Sequence, residues 1–490
     1  MIFGAFFLNI THLLTFGAVV LLITPNSRMK SDLIIVTFII TLSLLLFSNT
    51  SAQDTLSISL QEFIERGLER SGQADYLSNA VDLAENNVKQ ARDQRILPRI
   101  NLSTQHGLVP GVVSNTNLPS NEFYLDPNLS NDWENWAIFT RAEVSAAQPI
   151  YTWGAITNAI KATESAANAA KFRFEAEKSE IEMQLFDLYY SYQLALEMER
   201  ILNEADDQIR QVERQLNDMK EEGDPDLDQS DVFKFDIFKA EFEVQREEVR
   251  QSLDNVRRVW AYVLDPSQSK VYQPESLFLE AVPFELESYN YYESVAMSER
   301  PELRGAEAGI SAAKSQIDAV KSQYYPSLFL GLSASYANTP NRPRQSNPFI
   351  VNSTNYASLA FGLSFRQNLN FLTTQTKVDR AQIQRKRVQN LKSALTDGIV
   401  LELNETYRKA AVAEKRVIQL EEVLSISKNW VRQEQLDYDF GFGDVKDLLD
   451  SVQKELETRV ELKQNTFELN KRVAELYKAA GIPVQQISIN

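Results

Sequence analysis

The chain has 490 residues, a formal net charge of −17, 24% charged residues and no cysteine. Such acidity opposes a nucleic-acid partner, because phosphates are repelled, and an ordinary charged fraction argues against general disorder. Without cysteine there is no disulfide, no thiol chemistry and no lipidated N-terminal cysteine.

Residues 1–52 differ from everything after them. Met29-Lys30 opens a short charged region, an apolar run follows from Leu33 to Phe47, and SNTSAQ comes next. This is the make-up of a secretory signal cut after Ala52, and the run is short for a membrane span. A further apolar stretch within 1–28 leaves two readings: the start is Met29 and the upstream part is a start-site artefact, or residues 1–52 form a membrane hairpin. Beyond Ala52 no apolar run is long enough for a membrane helix. Membrane contact there requires β-strands or the protein surface.

The remainder states one plan twice. ARDQRILPRINLS (Ala91–Ser103) matches AVKSQYYPSLFLGLS (Ala319–Ser333), with Pro98 against Pro326. At the same offset Ala80 meets Ala308, Ala84 meets Ala312 and Ala91 meets Ala319, although Val88 meets Gln316. Later, QPIYTWG (Gln148–Gly154) corresponds to QNLNFLT (Gln367–Thr373). Duplication is the economical explanation. The spacing predicts a first repeat over 53–264, a linking segment over 265–297, a second repeat over 298–480 and a tail over 481–490.

In each repeat a helix-like stretch runs into a corner proline, which lacks an N–H and forces its predecessor extended. The period then becomes two. Leu328, Leu330, Leu332 and Tyr336 alternate with Phe329, Gly331 and Ser333, and Leu359, Phe361, Leu363 and Phe365 alternate with small or polar residues. Ala142, Val144 and Ala146 alternate in the same way in the first repeat. Strands are expected at about 99–109, 138–150, 326–337 and 355–368. Apolar on one face and small or polar on the other, they suit a transmembrane barrel or a half-buried soluble sheet. Tyr151, Trp153, Tyr324 and Tyr325 fall where strands meet helices, which fits an interfacial aromatic belt or plain core packing. Polar, Asn- and Pro-rich stretches join the strand pairs, as exposed loops would. Four strands cannot close a barrel, so several chains are expected to share one.

Long helices fill the rest. Gly154 to about Glu222 has no proline or internal glycine, and Thr373–Tyr438 is similar with one glycine, Gly398. Ile181, Leu185, Leu188 and Tyr192 make an apolar stripe, as do Val445, Leu448, Val452 and Leu456. Such helices suit an antiparallel hairpin or a stave of a water-filled tube. Two hairpin tips are expected. The second, at about 437–446, carries YDFGFGDVKDLLD, where Gly441 and Gly443 let the chain reverse and Asp444 and Asp447 can cap the next helix. Asp450, one turn beyond Asp447, is not needed for capping. The first tip, at about 218–231, holds Glu221, Glu222, Gly223, Asp224, Asp226, Asp228 and Asp231. It reads as a solvated turn, or, in several copies about an axis, as rings of carboxylates that attract cations.

With these pieces in place the chain resembles the TolC-like outer-membrane efflux channels over about residues 55–482. The most specific stretches are RPELRGAEAGISAAKSQIDAVKSQYYPSL (Arg300–Leu328) and YDFGFGDVKDLLD (Tyr438–Asp450). The resemblance implies a mainly α fold with a small β part, in which long helical hairpins form a trimeric tunnel. It implies a homotrimer sharing a twelve-stranded barrel in outer-membrane lipid, with the tunnel in the periplasm. An equatorial belt would comprise about 53–70, 265–297 and 481–490. It also implies a periplasmic adaptor and an inner-membrane pump as partners, and an inner aperture that opens when they dock. Tyr438 would sit at that aperture, with Asp447 and Asp450 as its acidic constrictions. The family's basic gate residue falls here at Gly443, so Lys446 or another contact takes its place. The first tip is longer and carries Pro225, and Thr373 replaces the glycine expected after the fourth strand.

A passive exit duct is therefore the expected function, without cofactor, metal or nucleic acid. Alternatives are the outer-membrane component of type I protein secretion, a periplasmic coiled-coil scaffold without a pore, and a secreted enzyme. After Ala52 the sequence has one histidine, His106, which a Ser-His-Asp device or a His-based metal site would need. With no Gly-rich phosphate loop, energy must come from a partner.

Overall fold

The computed structural model describes residues 55–488, apart from 97, 118, 120–125, 223–227, 266, 268–269, 346, 348 and 441. The secretory signal or membrane hairpin expected over 1–52 lies outside the described residues. The chain divides into two compact units, 1–56 with 267–272 and 57–266 with 273–490. The described part of the first is the opening of β1 (Thr55–Ile58) and of β4 (Val271–Pro274), which pair as a two-stranded sheet. The second unit holds everything that follows.

Helix α1 (Leu60–Glu69) and helix α2 (Gly72–Ile96) lead to Pro98, where β2 (Arg99–Val113) begins. Strand β3 (Ser130–Tyr151) returns, and α3 (Ala155–Glu222) and α4 (Gln229–Leu264) form the first hairpin. The second repeat runs through α5 (Tyr289–Glu299), α6 (Pro301–Lys321), β5 (Ser327–Asn338) and β6 (Tyr356–Arg366). It ends in the hairpin of α7 (Phe371–Asp439) and α8 (Val445–Ala480). At about 1.5 Å per residue α3 and α7 are each roughly 100 Å long. Residue composition permits this, because neither helix contains a proline.

The four long strands form one antiparallel sheet in the order β2-β3-β5-β6. The register puts Leu102 opposite Val144, Val144 opposite Ala334, Ala334 opposite Leu359 and Leu332 opposite Phe361, all on one face. The other face carries Ser103 against Glu143 and Ser335 against Ser358, whose hydroxyls lie 2.7 Å apart. The first strand pair runs further than the sequence indicates. Beyond a bulge at Pro110/Gly111, β2 continues to Val113 and pairs with Asp132, Asn131 and Ser130. Pro110 is tolerated because β2 is an edge strand, while Pro149, in an inner strand, sits at a second bulge.

The corners are built alike in both repeats. Gln148 donates to the Arg95 carbonyl at 3.0 Å, and Gln367, its counterpart, donates to the Tyr324 carbonyl at 3.1 Å. Each tie holds a strand end to the helix end before the corner proline. Trp153 and Gly154 turn β3 into α3 in the left-handed region, at φ 51° and 84°. That conformation is uncommon for a residue with a side chain. Trp153 is held there by its indole N–H to the Pro326 carbonyl (2.9 Å) and by stacking on Tyr325 at 4.8 Å. Tyr151 joins edge-on at 5.1 Å. Tyr324 does not join: it stacks on Phe371 at 6.4 Å and donates to Gln375 at 2.8 Å. His106 lies on the sheet beside Thr140, Nδ1 to Oγ1 3.1 Å.

Candidate functional site at the hairpin tips

The two hairpins of the larger unit meet along α3 and α8. Toward the tips this seam is apolar. Ile209, Val212 and Leu216 of α3, Phe235 and Phe242 of α4, and Val445, Leu449 and Leu456 of α8 make one buried cluster. Tyr438, at the end of α7, packs against its edge.

Farther from the tips the seam becomes ionic. Glu180, Asp187, Glu197 and Glu204 of α3 face Lys478, Lys471, Lys463 and Arg459 of α8, in antiparallel order. The middle rungs measure 2.9 Å (Asp187–Lys471) and 2.7 Å (Glu197–Lys463). Burial pushes the Asp187 carboxyl above its usual range despite the opposing Lys471, and its hydrogen bond to Asp187 raises the Lys471 ammonium. Glu455, buried on α8, is also raised by burial, against the charges of Arg459 and Lys428.

An extended strap over 275–288 crosses this seam. Gln193 of α3 donates to the Ser276 carbonyl (3.0 Å) and Lys463 of α8 to that of Leu279 (2.8 Å). The buried Asn470 accepts from Val282 N–H (2.8 Å) and donates to the Glu280 carbonyl (2.9 Å). At the far end of α8, Arg300 donates to the carbonyls of Ala479 (3.1 Å) and Lys478 (3.4 Å) while paired with Glu302 and Glu402. The Arg-Pro-Glu-Leu start of the second repeat's motif thus ties α6 to α7 and to the end of α8.

At the second tip, the Asp437 carbonyl accepts from Phe442 N–H at 2.8 Å and Gly443 N–H at 2.9 Å. A Cβ on Gly443 would lie 2.6 Å from Tyr438 N and 2.8 Å from Asp437 C. Glycine is therefore demanded by backbone contact, which explains why no basic side chain can stand there. Asp444 caps α8, accepting from Lys446 N–H at 2.9 Å. Val445, Leu448 and Leu449 are buried, whereas Asp444, Asp447 and Asp450 are exposed. Gly441 lies outside the described residues.

At the first tip, Glu221 is exposed near the end of α3, which closes at Glu222. Gly223, Asp224 and Asp226 lie outside the described residues. Asp228 caps α4, accepting from Ser230 N–H at 3.0 Å. Lys234, one turn on, pairs with Asp231 at 3.0 Å. Its ammonium is held above its usual range by that hydrogen bond, and then by the charges of Asp231, Asp450 and Asp228. Lys234 therefore stands in the field of carboxylates from both hairpins. The sequence offers Lys446 or another contact as a basic group at the second tip; the field of Asp450 at Lys234 has no sequence signal, because nothing local brings residues of the two hairpins together.

No group of His, Cys, Asp and Glu among the described residues is arranged to hold a metal ion. The exposed carboxylates at the tips can attract cations, and the uncovered apolar sheet face includes Phe361 at 82% exposure. Together with two repeats of long helices and a four-stranded sheet, these features define an outer-membrane channel fold. The chain belongs to the outer membrane efflux protein family, whose model matches residues 76–218 and 294–482. The first matched stretch falls in the first repeat, and the second covers the second repeat with a few residues on either side.

Solved structures show the same fold at low identity. The chain is similar to CusC, studied for its folding and transmembrane channel formation, with 15% identity, 87% of this chain and 93% of that chain covered, and a TM-score of 0.68. It is similar to the outer-membrane channel OprN, with 14% identity, 87% and 90% covered and a TM-score of 0.67. The open MtrE outer membrane channel of Neisseria gonorrhoeae gives 15% identity, 87% and 89% covered and a TM-score of 0.65. No curated protein matches the sequence.

Proposed function

We propose that this outer-membrane efflux protein is the passive exit duct of a tripartite pump, built from three copies and gated at the hairpin tips. The observation that carries this reading is that the sheet and the helices are left open on both sides. Among the described residues, strands β2 and β6 each pair with only one neighbour, and four strands are too few for a barrel. Among the helices, α4 exposes Phe233, Ile237 and Val244, and α7 exposes Val412, Val423, Ile426 and Trp430.

Three copies joined β6 to β2 and α7 to α4 close into a ring of head-to-tail contacts. The shared barrel then has twelve strands and presents Leu359, Phe361, Leu363 and Phe365 to lipid. In the ring, Asp447 and Asp450 become rings of carboxylates around the aperture. Tyr151, Trp153 and Tyr325 mark the periplasmic edge of the membrane. An inner-membrane pump supplies energy, and a periplasmic adaptor engages the tips and opens them.

Val244 and Val423 lie about equally far from their tips, roughly 23 Å along each helix. The chain has no cysteine of its own. Val244→Cys with Val423→Cys in one chain is expected to give covalent trimers on oxidation, and neither single variant should do so. Oxidised protein that stays at the mass of one chain contradicts the assembly.

A further inference from the structure

Many charges along this chain have no ion-pair partner, but one stretch of α7 gathers four such cations within eight residues. Between Lys377 and Lys392 stand six cations and a single carboxylate, Asp379. Lys392 pairs with Glu307 of α6, Lys377 donates to Gln323 at 3.3 Å, and Asp379 accepts from Gln375 at 2.8 Å. Among the described residues, no carboxylate pairs with Arg380, Arg385, Lys386 or Arg387. Arg380, Lys386 and Arg387 are exposed, and Arg385 is half-buried with its Nε enclosed and unpartnered.

Neighbouring elements do not relieve this. On α6, Lys314, Asp318 and Lys321 lie between the levels of Glu307 and Gln323 and are all exposed, which adds one positive charge rather than a counter-charge. The free edge a second copy would bring alongside is α2. It carries Asp75, Asp82, Glu85 and Asp93 against Lys89, Arg92 and Arg95. Of these, Glu85 is taken by Lys171 at 2.7 Å and Arg92 by Glu164 at 2.5 Å. Asp75, Asp82 and Asp93 remain against Lys89 and Arg95, which leaves α2 an excess of one negative charge against the four unpaired cations of α7.

Position narrows the ligand. Arg385 to Arg387 lie roughly 21–24 Å along α7 from Phe371, where the helix leaves the sheet. A headgroup layer is only about 5–7 Å deep on each side of the hydrocarbon. We propose that Arg380, Arg385, Lys386 and Arg387 of α7 form a binding station for polyanionic groups bearing phosphate or carboxylate. Guanidinium groups take such oxyanions in two-pronged hydrogen bonds. The depth favours a solute over a lipid headgroup. Binding does not depend on the duct reading; only its meaning for transport does.

The test uses the full chain in neutral detergent, titrated with inorganic tripolyphosphate by calorimetry, with hydrogen exchange followed in parallel. Saturable binding that protects 377–392 is expected. It should weaken at least tenfold in Arg380→Gln/Arg385→Gln/Lys386→Gln/Arg387→Gln, and several-fold in Arg380→Gln/Arg387→Gln, which changes only exposed residues. A second arm compares phosphatidylglycerol with phosphatidylcholine nanodiscs. Protection of 377–392 only in phosphatidylglycerol, lost in the variants, assigns the station to headgroups. Equal tripolyphosphate affinity in wild type and variants, or no protection of 377–392 in either arm, overturns the proposal. Binding by protein that carries no ion current leaves the station standing and removes the duct.

Discussion

Glu197 and Lys463 meet at 2.7 Å across the seam between the two hairpins, with Glu197 only 1% exposed. Lys463 also donates to the Leu279 carbonyl of the strap, and Arg200 holds the second Glu197 oxygen at 2.7 Å. One rung therefore joins the first hairpin, the second hairpin and the segment that crosses them. One further rung, Glu204–Arg459, lies nearer the tips, where the buried cluster of Ile209, Val212 and Leu216 with Val445, Leu449 and Leu456 follows.

Lys463→Met leaves Glu197 buried with Arg200 as its remaining partner and frees the Leu279 carbonyl. The expected loss is about 1–3 kcal/mol, read as a lower apparent melting temperature in detergent. Glu197→Gln combined with Lys463→Met should recover part of it, because no buried charge is then left unmatched. Equal loss in single and double variants would mean that the rung is not coupled.

Gly443→Ala forces a Cβ into the backbone of Asp437 and Tyr438. Overpacking of this kind costs about 1–3 kcal/mol, and the strain falls at the tip. Proteolysis near 437–446 should speed up while the assembly keeps its mass. An unchanged cleavage rate would show that the turn has room the contacts deny.

Glu455 supplies a pH test. Burial raises its carboxyl above the usual range, so the folded state holds a proton that the unfolded chain has already released. Stability is then greatest in mild acid and falls as pH rises from the ordinary carboxylate range through the raised one. Asp187 acts in the same sense. Glu455→Gln should flatten this slope and leave the protein more stable than wild type at neutral pH. A variant with the wild-type slope excludes Glu455 as its source.

Asp447→Asn with Asp450→Asn removes exposed charge and leaves the Asp444 cap and the buried Val445, Leu448 and Leu449 in place. Cation preference should fall severalfold with no change in assembly mass. Loss of the assembly would instead assign both aspartates to holding the helix start.

Much of the fold was legible in the sequence because its signals are local. Pro98 and Pro326 mark the corners, the period of two at Leu328–Tyr336 marks a strand, and the absence of proline and scarcity of glycine mark α3 and α7. The mainly helical, duplicated class followed from these, and the efflux-channel family from the resemblance carried by Arg300–Leu328 and Tyr438–Asp450. The strand extension past Pro110 was hidden, since Asn, Asp and Pro read as a loop and only the edge position of β2 admits them. The strap over 275–288 has no period to read, as its order comes from Gln193, Lys463 and Asn470. At the tips, the capping by Asp444 was legible from spacing. Lys234 beside Asp450 was not, because it depends on how two distant hairpins pack.

The most direct test of the duct is ion current through a planar bilayer after adding the purified detergent-solubilised protein. Discrete steps with a cation-selective reversal potential are predicted, with the selectivity reduced in the Asp447→Asn/Asp450→Asn protein. Anion-selective steps, or no steps from protein that stays soluble and stable without detergent, would contradict it.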